Sequence, residues 1–357
     1  MWNKYADTAA RKHGKPGRET RPKGVNKSVT IDMHAHAGVP AAGKFVAPHL
    51  DVSTIPLAHF ASPETKELNA KQEQDIRGRM TEYDDRFRDM DRMGVDIQYV
   101  MPAPPQCYHT IALDIAVPAA RMVNEGIAEY CAKHRDRLFP CGTVPMQDGS
   151  EAAKELEHCI TKLGMKGVEI LTNVAGRELS DPAFAPFWKK AEELNALVAI
   201  HPNGFTEGQR FSRFYFNNVI GNPLETTLAL HYLIFDGVFE RHPKLKVFAM
   251  HGGGFLGSYS GRIDHAWGAR SDSAGGLKKE PGHYLRKNVL FDTVVFTPLQ
   301  LEALVKTFGV DHILMGTDFP FDMLEADPIG HVASVEMLDD KARAAIIGGN
   351  AKALLGL

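Results

Sequence analysis

The 357-residue chain has little cysteine, little net charge and no long apolar run, and each scarcity removes a class of protein. Its four cysteines, Cys107, Cys131, Cys141 and Cys159, show no C-x-x-C spacing, so free thiols in a reducing cytoplasm are expected. A net charge of −3 gives no general electrostatic pull toward nucleic acid or a membrane surface. No segment approaches the ~20 apolar residues of a membrane span, and the N-terminal stretch lacks the apolar centre of a secretory signal. No G-x-G-x-x-G follows the first β-branched run, which weakens a dinucleotide-binding reading, and no repeat of fixed signature recurs. Small-molecule chemistry is what remains.

With 44% hydrophobic and 24% charged residues, the chain can bury a sizeable core. Residues 1–28 are basic and poor in apolar groups, and read as an arm preceding one domain over 29–357. Eight short apolar runs predict strands at Val29–His36, Val95–Ala103, Phe139–Pro145, Gly167–Asn173, Leu197–Asn203, Leu245–Gly253, Val289–Val294 and Ile313–Pro320. Amphipathic stretches between them predict helices, ending in one over Asp339–Leu355. Strands alternating with helices call for parallel pairing, and eight such units predict an α/β fold closed as a (β/α)8 TIM barrel. Two connections are long, residues 37–82 and 204–223. They read as loops or a small insertion covering the C-terminal mouth, where barrels keep their sites.

Groups able to bind metal recur at strand ends. Residues 30–40, TIDMHAHAGVP, carry Asp32, His34 and His36 at alternate positions, which share one strand face. VAIHPNG ends the fifth strand with His201, VFAMHGGG the sixth with His251, and ILMGTDFPF the eighth with Asp318. In a barrel these ends converge. A lone histidine ending a strand is ordinarily structural; two on one face, joined by His201 and Asp318, suit a cation such as Zn²⁺ that keeps a position open for chemistry. His251, before three glycines that allow a tight bend, reads as an acid/base residue beside the metal. His134, His158 and His242 fall on helices or turns and read as solvated. The fourth strand, GVEILTN, holds no lysine that could bridge two metals, so one is expected.

The motifs Asp32-x-His34-x-His36, His201-Pro202, His251-Gly-Gly-Gly and Gly316-Thr317-Asp318-Phe319-Pro320-Phe321 resemble the amidohydrolase superfamily. Within it they resemble the branch containing aminocarboxymuconate-semialdehyde decarboxylase. The likeness runs from about residue 29 to the C-terminus and includes FRDMDRMGVDIQYV, GTVPMQD, GVFERHPKLKVFAMHGGG and GRIDHAWGAR. The resemblance implies Zn²⁺, with Mn²⁺ or Co²⁺ as alternatives, on His34, His36, His201 and Asp318, with His251 as the base. It also implies that Arg86 and Arg262 grip a substrate carboxylate, Arg262 from across a homodimer interface. The run DDRFRDMDR around Arg86 equally suits an ordinary salt-bridged helix face. Asn203-Gly204, where that decarboxylase has Trp-Asp, and Pro320-Phe321-Asp322, without a second proline, imply a differently shaped pocket.

Those features together predict a metal-dependent, non-oxidative decarboxylase of an unsaturated or aromatic carboxylic acid. Conjugation is favoured because cleavage leaves an electron pair on carbon that must be delocalised or protonated. A hydrolase or hydratase of a related ring-cleavage product is the alternative, since the same centre can activate water against another electrophile. A metal-binding scaffold without activity would need neither a histidine in a glycine turn nor two long mouth connections.

Overall fold

Each of the eight apolar runs forms a strand, and the strands close into a ring. The computed structural model describes residues 28–357; the basic arm, apart from Ser28, lies outside the described residues. The barrel strands are β1 (Ile31–Ala37), β2 (Ile97–Pro102), β3 (in two pieces, Leu138–Pro140 and Gly142–Thr143), β4 (Gly167–Leu171), β5 (Leu197–His201), β6 (Lys246–Ala249), β7 (Val289–Asp292) and β8 (Ile313–Leu314). Neighbours pair in parallel from β1 to β3 and from the second piece of β3 to β8. Cys141 N, at the break in β3, donates to Val100 O (2.9 Å) and carries the pairing across. The ring closes where Met33 N donates to Met315 O (2.8 Å) and His36 N to Phe319 O (2.7 Å). The expected (β/α)8 barrel is therefore the observed architecture.

Because such strands are covered on both faces, their residues are apolar in succession and divide by parity. Along β5, Leu197 and Ala199 pack with Ile31, Met33, Phe248 and Met250 inside the barrel. Val198 and Ile200 belong to the outer apolar cluster, with helix residues such as Leu156, Trp188, Leu230 and Leu304. Local chemistry sets the helix ends. Asp148 accepts from Ser150 N (2.8 Å) and Glu151 N (2.9 Å) to start Gly149–Thr161, and Gly94 at φ 75° ends Tyr83–Met93 and turns the chain toward β2.

Three segments show detail beyond the sequence expectations. First, residues 37–82, read as loops or a small insertion, form an insertion with helices at Pro40–Val46, Pro56–His59 and Pro63–Thr81. Each begins with proline, and Ser62 caps the longest by accepting from Thr65 N (3.1 Å). That helix buries only Ile76 among its residues, so it has no apolar stripe for a periodicity argument to find. Second, the expected last helix is present and runs from Asp340–Ala344 to Asn350–Leu355 through a π turn at Ala345–Gly349. Gly348 there lies against the Val29 carbonyl, which a Cβ would approach to 1.9 Å. Third, residues 204–223 contain a 3₁₀ turn at Gly208–Phe211 and a π turn at Asn217–Gly221. The two long connections meet over the mouth: Leu57 N donates to Asn203 O (3.2 Å) and Asn217 Nδ2 to Pro56 O (2.9 Å).

Candidate metal centre

Three histidines at the mouth have their protons fixed at the same ring position. The Nδ1 of His34 lies 2.7 Å from Asp292 Oδ2, that of His36 lies 2.9 Å from Pro102 O, and that of His201 lies 2.6 Å from Pro202 O. A carbonyl or carboxylate oxygen only accepts, so each neutral ring carries its proton on Nδ1 and leaves Nε2 as a bare lone pair. All three Nε2 atoms are buried without a hydrogen-bond partner, as is Asp318 Oδ1. They converge: His34 Nε2 and His36 Nε2 lie 3.3 and 3.4 Å from Asp318 Oδ1, and the His201 ring sits 5.2 and 5.1 Å from theirs. Ligands ~2.1 Å from a tetrahedral ion lie about 3.4 Å from one another. Unpaired buried acceptors at that spacing fit a divalent cation, because burying them with no donor would otherwise cost stability.

Charge points the same way. Burial opposes ionisation of Asp318, yet His34, His251 and His36 hold its carboxyl well below the usual range. Burial likewise works against a charged His34, but the attraction of Asp318 and the hydrogen bond to Asp292 outweigh it and push the imidazole up to about 10. His201 is driven well below the ordinary value by burial and by the neighbouring imidazoles, and so stays a neutral donor. The proton that these two buried carboxylates draw onto the His34 ring is what a cation at the centre would replace.

His251 differs from these three. The group formed by ligand atoms of His34, His201, His251 and Asp318 lies within 4.8 Å, and His251 Nε2 is 3.4 Å from Asp318 Oδ2. Its Nε2 faces a carboxylate oxygen, which only accepts, so the neutral ring carries its proton there and leaves Nδ1, buried without a hydrogen-bond partner, as the lone pair. The residue is held by its backbone: His251 N donates to Asp292 Oδ2 (2.9 Å) and Gly252 N to Oδ1 (2.7 Å). His251 has φ 55° and Gly252 φ 61°. A Cβ on Gly252 would lie 2.4 Å from Val295 Cγ1, so both its conformation and its packing require glycine. Asp292, at the end of β7, thus orients His34 and anchors the His251 turn at once. Sequence reasoning missed it, although an acid ending a barrel strand was the available signal.

Asp32 does not join the convergent donors. The β1–β2 register shifts between Asp32 and Ala35, and the Asp32 carboxylate accepts from Thr317 Oγ1 (2.6 Å), Thr317 N (3.0 Å), His34 N (3.0 Å) and Gln98 Nε2 (3.0 Å). It ties both metal-binding segments together from behind. Arg86 extends this network and departs from the expected carboxylate grip. Fully buried, it donates through Nη1 to Gln98 Oε1 (2.7 Å) and through Nη2 to the His36 carbonyl, and its guanidinium lies 4.9 Å from the Phe319 ring centre. Two of its donors are held by the chain's own groups while Nε has no hydrogen-bond partner, and through those two it supports β1. Arg262 is exposed on Leu256–Ala269.

Glu169, on β4, is a further residue that sequence reasoning passed over. It is fully buried, burial pushes its carboxyl well above the usual range, and Oε2 lies 3.7 Å from His36 Nδ1. His134, His158 and His242, expected to be solvated, are half-buried instead. The His134 ring packs 4.5 Å from Tyr83 and 4.8 Å from Phe87, and His242 Nδ1 lies 3.3 Å from Glu192 Oε2. All four cysteines are free and buried, and burial raises every thiol. Among the described residues no helix is long and apolar enough to cross a membrane.

Comparison with known proteins gives the family and the fold. The amidohydrolase family profile matches residues 31–357. The 2-amino-3-carboxymuconate-6-semialdehyde decarboxylase of Dictyostelium discoideum is 31% identical over 333 residues, covering 93% of this chain and 92% of its own. The gamma-resorcylate decarboxylase of a Rhizobium species is 28% identical, covering 75% and 87%. In fold, the chain is similar to 5-carboxyvanillate decarboxylase from Sphingomonas paucimobilis, with TM-score 0.82, 22% identity and coverage of 93% and 100%. It is also similar to a manganese-bound dihydroxybenzoic acid decarboxylase from Polaromonas, with TM-score 0.78, 24% identity and coverage of 92% and 97%.

Proposed function

The chain belongs to the amidohydrolase family, and from that premise we propose that it is a metal-dependent, non-oxidative decarboxylase, a carbon–carbon lyase acting on an unsaturated or aromatic carboxylic acid. The observation that carries this reading is the convergence of three bare Nε2 atoms and Asp318 Oδ1, all buried and unpaired, in a chain whose relatives include named decarboxylases. His34, His36, His201 and Asp318 would hold one divalent cation. Their nitrogen-and-carboxylate set favours Zn²⁺, while Mn²⁺, present in a solved relative of the same fold, and Co²⁺ suit the same donors. When bound, such an ion supplies a Lewis acid that polarises a substrate oxygen and lowers the pKa of nearby water.

The chain's own groups supply the rest. His251 has one nitrogen toward Asp318 and the other unclaimed, so it can take up a proton and deliver it to the carbon that loses CO₂. Protonation of that carbon interrupts the conjugation. The carbon–carbon bond then breaks, CO₂ departs, and the electron pair of the broken bond restores the conjugated system. Asp292 sets the direction of both His34 and the His251 turn, while Asp32, Gln98 and Arg86 hold β1 behind them. Arg262 is the candidate to contact substrate in the site of a partner protomer, which makes a homodimer the proposed assembly; its exposure supports that role. The four unpaired cysteines support a cytoplasmic setting.

The test loads the protein with zinc and, separately, manganese, and follows CO₂ and product mass together over benzoic and muconic acids. Stoichiometric CO₂ with a product lighter by that amount is expected. A product heavier by one water and no CO₂ would replace this reading with hydration, the reaction named for a Sphingobium relative that is 25% identical.

A further inference from the structure

The barrel has a cavity at each end. At the mouth, one of about 460 Å³ lies beside the metal centre under the two long connections, with Asn203, two residues beyond His201, and buried His109 in its wall. Of the described residues that line it, none is aspartate, glutamate, lysine or arginine. The second, of about 240 Å³, opens at the other end, where β4, β5 and β6 begin. Its wall takes Leu197 and Lys246 from the first positions of β5 and β6, whose Cα atoms pair, and Lys166 from the position before β4. Leu197 N donates to Lys166 O (2.9 Å), so the two lysines stand on either side of Leu197. Ile160, Leu194 and Leu354 of the last helix add apolar surface. An apolar cavity of ~150 Å³ holds benzene, so this one has room for a single ring with a charged head.

Lys166 and Lys246 are the charged groups among the described residues of that wall. Lys166 is exposed and Lys246 half-buried, and among the described residues neither ammonium makes an ion pair or a hydrogen bond. Lysines on the two flanking helices are paired: Lys154 with Glu151 (2.6 Å), Lys189 with Glu193 (3.9 Å) and Lys190 with Glu157 (3.6 Å). The acids just before Leu194 are engaged elsewhere. Glu192 accepts from Lys244 N (2.8 Å) and faces His242 Nδ1 (3.3 Å), and Glu193 faces Lys189 and Lys190. An ammonium set against apolar side chains gives up part of its hydration, and an anion in the same place compensates it.

We propose that this second cavity binds a small organic anion, its carboxylate held by Lys166 and Lys246 and its apolar body set against Ile160, Leu194 and Leu354. The site stands at the opposite end of the barrel from the metal centre, goes beyond the decarboxylase reading and does not depend on it. No bond forms or breaks there. A molecule that has lost its only carboxylate loses its anchor, so the cavity separates an acid from its decarboxylated counterpart.

The experiment methylates the lysines of the metal-loaded full chain reductively, with benzoate, benzyl alcohol or inorganic phosphate as probe, and reads each lysine's rate by peptide mass spectrometry. Benzoate should slow Lys166 and Lys246 by at least about fivefold, the protection that ~80% occupancy gives, while Lys154 and Lys189 keep their rates. Benzyl alcohol, which keeps the ring and lacks the charge, should protect neither. Phosphate should need about tenfold higher concentration than benzoate, because it forgoes the apolar wall. In Lys246→Gln, the benzoate concentration that half-protects Lys166 should rise about tenfold, the worth of one charge-assisted hydrogen bond. Rates unchanged by benzoate, or all lysines slowed alike, overturn the site. Protection by benzyl alcohol overturns the carboxylate anchor, and phosphate protecting as well as benzoate overturns the organic ligand. An unchanged half-protecting concentration in Lys246→Gln overturns the shared grip of the two lysines. CO₂ release is followed separately, and its outcome decides the reaction without deciding this site.

Discussion

The metal centre and the neutral cavity share one end of the barrel, yet they are built by opposite means. The centre stands on strand ends, where β1, β5 and the segment after β8 fix three ligand-bearing positions, and every proton that matters on its ligands is set by a main-chain or carboxylate acceptor. The cavity is walled largely by connections, and none of the described residues that line it is aspartate, glutamate, lysine or arginine. The difference teaches a division of labour. A scaffold of paired strands can hold charged groups at ligand spacing because the backbone cannot drift, whereas connections can change shape and composition without disturbing that spacing.

The contrast can be broken most severely at the strand ends. His201→Ala should remove bound metal and abolish CO₂ release, a loss beyond the ~10²-fold that removing an outer partner costs; metal analysis of the purified chain checks it, and retained stoichiometric metal would remove His201 from the ligand set. His251→Asn should lower kcat by about 10²–10⁴-fold while metal content holds. If metal and turnover vanish together in that variant, His251 is a ligand and the proton must come from elsewhere. Asp292→Asn should weaken metal affinity by about 10–100-fold, read by competition with a chelating dye, because a neutral amide, able to turn either its oxygen or its NH2 to His34, would replace the carboxylate that fixes the ring's proton. An unchanged affinity would show that the His34 ring needs no such guide.

The smallest expected effect sharpens the cavity side. An ordinary imidazole titrates near ~6.5, whereas buried His109 titrates at about 4. Between those values the unfolded chain binds a proton at this site that the folded chain refuses. Stability contributed by this residue is therefore complete above pH ~6.5, falls as pH drops through the unfolded value, and levels off below about 4, over a span of about 1–3 kcal/mol. Urea midpoints at pH 4.5 and 7 should differ less for His109→Phe than for the wild type. Equal losses would mean that His109 can be protonated in the folded chain.

Much of the centre was legible in the sequence because barrel strands place their functional groups at their C-terminal ends, and an apolar run followed by histidine or aspartate marks such an end directly. His34, His36, His201, His251 and Asp318 all carry that mark. Asp32 carried it too, but the register shift in β1 turned its carboxylate to Thr317 and Gln98, and a shift of register is set by the neighbouring strand. Arg86 sits in a stretch whose charges suit a solvated face, yet it is fully buried, because the partners that hold it, Gln98 and the His36 carbonyl, are distant in sequence. The helix over Pro63–Thr81 escaped notice for want of an apolar stripe, and His109 because nothing around it in the chain marks a cavity.

By itself the sequence determined the alternation of strands and helices, hence the parallel barrel, and which donor types stand at the strand ends, because hydrophobic parity and turn chemistry act over a few residues. Only the tertiary structure decided which ring nitrogens are bare, which acids face the centre, and that the neighbouring cavity is free of charge. Those outcomes depend on contacts between residues as far apart as His34 and Asp292, where a hydrogen bond of 2.7 Å exists only once the ring of strands has closed.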